Sequence, residues 1–292
     1  TIGWVGFGIV LSLYFCAFLL DTMTWILTML SLPLNIKWVY RIFIVRLVGE
    51  AFNNTIPGGG VAGEPVKAVL IKSYYGIGYQ EGATSLILAK TINMVSLCVF
   101  LCLGFLMMID SNKLPLEAKQ ISLFGLIAVL TATLLLFVVQ KIHLTSRATR
   151  FLTQFNIAFG LKRWMNDLKK FDRRLSEFYQ NYWERFGISL VLALVNWLLG
   201  VLEIYYVMKF LGTPVSLAEA YIIEAVTQMV RMGTFFIPMG LGTQEAAFLV
   251  IVDLITGSSA VGLALGIIRR AREIIWIVIG LFIGFTFSLR KK

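Results

Sequence analysis

Two stretches of this chain, NNTIPGGGVAGEP from Asn53 to Pro65 and FFIPMGLGTQEAAF from Phe235 to Phe248, set a carboxylate seven residues beyond a proline: Glu64 after Pro57 and Glu245 after Pro238. Each carboxylate opens a new apolar run, where a helix start leaves four free N–H groups and the positive end of its dipole. A carboxylate there binds an amine or a coupling proton, and the spare N–H groups can cradle a phosphate. Placement for a ligand is preferred over a plain helix cap, because an ionisable group buried among apolar residues is costly. Lys67, Lys90, Arg231, Arg269, Arg270 and Arg272 are the cations that can grip a phosphate, and guanidinium forks suit that geometry better than ammonium. Arg46 with Glu50, Lys67 with Glu64 and Arg269 with Glu273 are spaced for pairing on one helix face. Lys90, Arg231 and Arg272 have no opposite charge one turn away and stay candidates for substrate contact. Glu203 and Glu224 are further candidates. Asn54 and Gln244, beside the breaks, complete the candidate binding set, with satisfaction of broken backbone the default task of Asn53 and Asn54.

Catalytic constellations are poorly represented. His143 is the only histidine, so a metal centre or a Ser-His-Asp arrangement lacks its usual parts. The glycines of PGGGVAG follow no strand, which argues against a nucleotide site. No cofactor or metal is expected, and no nucleic acid partner.

The elements that carry these residues are apolar spans. The 292 residues are 58% hydrophobic and 14% charged, with net charge +10 and mean hydropathy +0.82, whereas soluble domains carry about a quarter charged residues. The composition describes an all-α polytopic membrane protein and excludes soluble enzyme folds. Cys16, Cys98 and Cys102 all sit in apolar runs and imply no disulfide framework. The chain opens at Thr1 inside an apolar segment, so no signal peptide is identified and further sequence ahead of it is expected.

Spans are expected over 2–32, 81–109, 120–140, 187–211 and 260–289, about five in all. The runs 42–51 and 66–75, and likewise 217–233 and 246–255, are short segments flanking a break. Pro57, Gly58, Gly59, Gly60 and Gly63 interrupt the first pair; Pro238, Gly240 and Gly242 interrupt the second. Residues 141–186 form the one extended polar stretch, with ten Lys or Arg against four Asp or Glu between Lys141 and Arg185. Within it, apolar residues from Leu161 to Tyr182 recur every three or four positions. They predict an amphipathic helix lying either on the membrane surface or on the protein's own end.

A shift of 181 positions carries Pro57 onto Pro238, Gly59 onto Gly240, Glu64 onto Glu245 and Glu50 onto Arg231. The positive-inside bias puts the basic stretch and the C-terminus in the cytoplasm. The two broken hairpins then enter from opposite faces, an inverted repeat of re-entrant hairpins around a midplane cavity. The expected organisation is a first transmembrane half, 1–140, with its hairpin at 43–75; a cytoplasmic linker, 141–186; and a second half, 187–292, with its hairpin at 217–256.

The segments GEAFNNTIPGGGVAGEPVKAVLI from Gly49 to Ile71 and IPMGLGTQEAAF from Ile237 to Phe248 resemble the lysylphosphatidylglycerol synthase transmembrane family, also described as flippase-like membrane proteins. The resemblance runs from about Phe43 to the last span. It implies movement between leaflets of a phospholipid, an aminoacylated phospholipid, or a polyprenyl- or hopanoid-type lipid, in a prokaryotic cytoplasmic membrane. No soluble aminoacyl-transfer domain follows Lys292, so synthase activity is not expected and the chain reads as a lipid translocase rather than an enzyme. Two alternatives remain open: an embedded headgroup-modifying enzyme with Glu64 or Glu245 as general base, and a noncatalytic scaffold that recruits a lipid-modifying enzyme. Association with a second copy is also open.

Overall fold

Apolar runs in lipid must satisfy their own backbone, and helices do so residue by residue. The computed structural model describes residues 2–56, 62–141, 173–237 and 240–289, and these are helices joined by short turns, with no strands among them. The helices are α1 (Gly3–Thr28), α2 (Ile36–Thr55), α3 (Gly63–Tyr75), α4 (Tyr79–Asp110), α5 (Leu116–Lys141), α6 (Trp183–Phe210), α7 (Leu217–Gly233), α8 (Thr243–Thr256) and α9 (Ser259–Leu289). A further helical stretch, 173–181, precedes α6.

Four of these, α1, α4, α5 and α6, are long and apolar enough to cross a membrane. The fifth expected span, α9, has the length at 31 residues, but Arg269, Arg270, Arg272 and Glu273 lie near its middle. Two expected boundaries move. The first span ends at Thr28 rather than near Leu32. The first hairpin arm, expected from Ile42 or Phe43, begins at Ile36, where the Asn35 side chain accepts the Trp38 N–H at 2.9 Å. Its polar opening does not end the helix, because Arg41 stacks over the Trp38 and Tyr75 rings at 4.8 and 5.1 Å. At 20 residues, about 30 Å of rise, α2 is not a short segment.

The arms of each break are nonetheless matched. α3 has 13 residues and α8 has 14, and each leads into a helix of about the same length, 32 residues in α4 and 31 in α9. Both short helices end on a left-handed glycine, Gly76 at φ 72° and Gly257 at φ 74°, again 181 positions apart. Side chains with a Cβ rarely adopt that conformation, so glycine stops each helix and turns the chain back.

Lipid offers no hydrophobic drive between helices, so close approach of small residues must hold them. At Gly63 an added Cβ would overlap the Gly49 carbonyl, which lets α3 lie directly against α2; at Gly262 it would meet the Phe248 carbonyl of α8. Around these contacts Trp25, Ile42, Ile71 and Leu86 pack where α1 to α4 meet, and a larger cluster joins α4 and α6 through α9. The stretch 173–181 packs on the bundle itself: Leu175 and Phe178 are buried with Leu88, Ile92 and Ala193. The rest of the amphipathic segment lies outside the described residues, as do Pro57, Gly58, Gly59, Gly60 and Pro238.

Candidate functional site

Near the end of α2, Asn53 meets the start of α3 across the break. Its Oδ1 accepts the Gly63 N–H at 2.6 Å, so a side chain from the neighbouring helix satisfies one of the free donors at the α3 start. Its Nδ2 points to Glu50 and Glu64, at 3.3 and 3.4 Å. Asn54 donates to the Glu50 carbonyl one turn back at 2.9 Å. The backbone role expected of Asn53 is therefore present. Glu64 does not cap its own helix, and Pro65 is the third residue of α3.

Glu64 instead enters a chain of charges. Lys67, almost fully buried, lies over Gly49, with its Nζ 2.6 Å from Glu50 and 3.0 Å from Glu64. The Lys90 ammonium, about half exposed on α4, reaches Glu64 at 3.2 Å. Arg46 sits 3.8 Å from Glu50 and pairs directly with Asp21 of α1, which also accepts from Asn93 at 3.0 Å. Six alternating charges thus bridge four helices. Glu64 Oε2 is buried within this chain and has no hydrogen-bond partner.

These groups border a cavity of about 450 Å³, a volume within the range of small-molecule sites. Tyr14 and Phe18 of α1 line it too, and the other half of the chain closes it with Asn196, Trp197, Gln228, Arg231 and the turn from Thr234 to Gly240. Of the candidate binding residues, Asn54, Glu64, Lys67, Lys90 and Arg231 share this cavity. The Arg231 side chain has no hydrogen bond or ion pair with any described residue. The charged lining comprises three carboxylates and four cations, a net +1.

Glu245, Gln244, Arg270 and Arg272 do not line it. They belong to a second cluster, where α9 passes α6, α7 and α8. Arg269 binds Glu203 at 3.2 Å and Glu224 at 2.7 Å, and Gln228 donates to Glu224 at 2.8 Å. Arg272 pairs with Glu203 and stacks over Tyr14 at 4.0 Å. Arg270 holds Glu245 at 2.7 Å and Glu273 at 3.0 Å, while Glu245 accepts the Gly242 N–H at 3.0 Å. The expected Arg269–Glu273 pair does not form, because Arg269 turns to the carboxylates of α6 and α7 and leaves Glu273 to Arg270. Gln244 is fully buried, with both amide atoms unpartnered.

Spacing along one helix misses Asp21 and Asn93, which meet each other across α1 and α4; Asn196 and Gln228 also line the cavity without having been singled out. The readable signal was polarity inside an apolar span.

A bundle of apolar helices folded around a charged cavity is a polytopic membrane protein. The chain belongs to the family described as the lysylphosphatidylglycerol synthase TM region, whose model matches residues 1–281. A UPF0104 membrane protein of Methanothermobacter thermautotrophicus is 20% identical over 274 residues, which cover 88% of this chain and 78% of that one. No solved structure matches the chain. The resemblance read from Gly49–Ile71 and Ile237–Phe248 is thus borne out.

Proposed function

We propose that the chain is a flippase-like carrier, taking a lipid headgroup from one leaflet to the other while the acyl chains stay in the bilayer. The observation that carries this reading is the charged cavity, lined jointly by both halves of a membrane protein. A headgroup leaving water must have its hydration replaced by fixed polar groups. The Glu64, Lys67 and Lys90 cluster, the Arg231 guanidinium and the carboxamides of Asn53, Asn54 and Asn93 offer such groups in one place.

The architecture we infer is an inverted repeat of two re-entrant hairpins, α2–α3 and α7–α8. The 181-residue correspondence, the matched helix lengths and the paired left-handed glycines support it. In this reading the basic stretch 141–186 and the C-terminus face the cytoplasm of a prokaryotic cell. Transport of this kind calls for no cofactor and no bond-making step.

Reconstituted vesicles test the proposal. Purified protein should speed leaflet exchange of a fluorescent phospholipid, and Glu64→Gln should slow it. Equal exchange in protein-free and protein-containing vesicles would sink the carrier reading, and formation of a modified lipid by the purified chain would replace it with an enzyme.

A further inference from the structure

Resting on that carrier reading, we infer that the headgroup is a polyol: a glycosyl or cyclitol ring whose hydroxyls meet the carboxamides of the cavity. Charge makes no selection here. The cavity's three carboxylates and four cations are offset by the four carboxylates and three guanidiniums of the adjoining α9 cluster, so the two surpluses cancel. What remains is neutral hydrogen-bonding capacity, and four helices supply it. Asn54 of α2, Asn93 of α4, Asn196 of α6 and Gln228 of α7 all line the cavity. Asn54 donates to the Glu50 carbonyl, Asn93 to Asp21 and to the Ala89 carbonyl, and Gln228 to Glu224. Their amide oxygens accept no hydrogen bond from any described residue, and the Asn196 side chain makes none in either direction.

Amide oxygens that line a cavity inside a transmembrane bundle call for donors. A phosphodiester or a trimethylammonium group offers them none. A primary ammonium does donate, but it arrives beside carboxylates that already hold cations: Asp21 with Arg46, Glu50 with Lys67, and Glu64 with both Lys67 and Lys90. A hydroxyl donates and accepts without bringing charge, and two neighbouring hydroxyls match the oxygen and the NH2 of one carboxamide. The walls suit the rest of such a ring. The indole N–H groups of Trp25 and Trp197 are committed to Ser85 and Ser96, at 3.1 and 3.0 Å. Both residues therefore border the cavity with apolar ring surface, against which the C–H face of a sugar or cyclitol can lie.

The test uses vesicles holding acyl-labelled phosphatidylinositol or phosphatidylmethanol, which carry the same charge and differ in the hydroxyls of the headgroup. Wild type should move phosphatidylinositol faster by roughly tenfold, the scale of one or two neutral hydrogen bonds. Asn196→Leu and Gln228→Leu should each cut that ratio by roughly threefold, with phosphatidylmethanol still moved at the wild-type rate. Asn196 leaves no partner behind among the described residues, and Gln228→Leu leaves Glu224 on Arg269, so both variants should fold. Equal rates for the two lipids in wild type, or faster phosphatidylmethanol, overturn the inference and leave the carrier reading intact; so does a ratio that neither substitution changes. If neither lipid moves, the carrier reading falls, and native mass spectrometry of the purified protein with the same two lipids decides the inference alone. Preferential retention of phosphatidylinositol, lost in Asn196→Leu, upholds it; equal retention overturns it.

Discussion

The two charged regions use the same residue types to opposite ends. Around the cavity, Glu64 shares Lys67 and Lys90, Lys90 is half exposed, and the Arg231 side chain has no ion partner among the described residues. On α9, Arg269 and Arg272 are almost fully buried and every carboxylate in reach is engaged. The equivalent glutamates diverge in the same way: Glu245 caps the start of α8 and binds Arg270, whereas Asn53 takes over the capping and frees Glu64. In the α9 cluster four carboxylates meet three guanidiniums, every one of them engaged, and the pairs hold helices together. The other lines a cavity, where charged groups face open space as a ligand site requires.

The sharpest break of this comparison is Glu203→Ala. It leaves buried Arg269 with Glu224 alone and takes from buried Arg272 its close carboxylate, and removing one partner of a buried pair costs about 3–5 kcal/mol. Thermal unfolding in detergent should show the loss, and an unchanged midpoint would mean that the α9 cluster is not structural. Next come Gly63→Ala and Gly262→Ala, whose added methyl groups meet backbone carbonyls. Each should lose about 1–3 kcal/mol by overpacking, read in the same melt. Glu245→Ala should lose about 1 kcal/mol with its cap, and Glu64→Gln less, because Glu50 still holds Lys67. Lipid exchange should fall further in Glu64→Gln than in Glu245→Ala; the reverse order would exchange the roles assigned to the two glutamates. The smallest effect belongs to Arg231→Gln, within about 0.5 kcal/mol of wild type, since no partner among the described residues is left behind. A large loss of stability there would reveal an ion pair of Arg231 with a residue outside those described.

Much of this was legible in the chain. Apolar length gave α1, α4, α5 and α6, and the Pro/Gly runs located both interruptions. Glu64, Lys67, Lys90 and Arg231 were singled out because ionisable residues in apolar stretches are expensive, and they share one cavity. The start of α2 was missed because Lys37 and Arg41 look like a loop until the stacking of Arg41 on Trp38 and Tyr75 is known. Spacing finds partners one turn away, such as Lys67 with Glu64. It does not find Lys67 with Glu50, seventeen positions distant, or Arg46 with Asp21, on another helix. The separate cluster formed by Arg270, Arg272 and Glu245 was hidden for the same reason: only the packing of α9 against α6 and α8 decides which carboxylates those guanidiniums reach.

Two of the seven tryptophans, Trp25 and Trp197, border the cavity, and hydrogen bonds from their indole N–H groups to Ser85 and Ser96 fix both rings. The protein therefore contains its own optical reporter. A brominated headgroup arriving beside those indoles would dim their emission, so occupancy could be followed in the unlabelled protein, in real time and independently of any crossing of the bilayer.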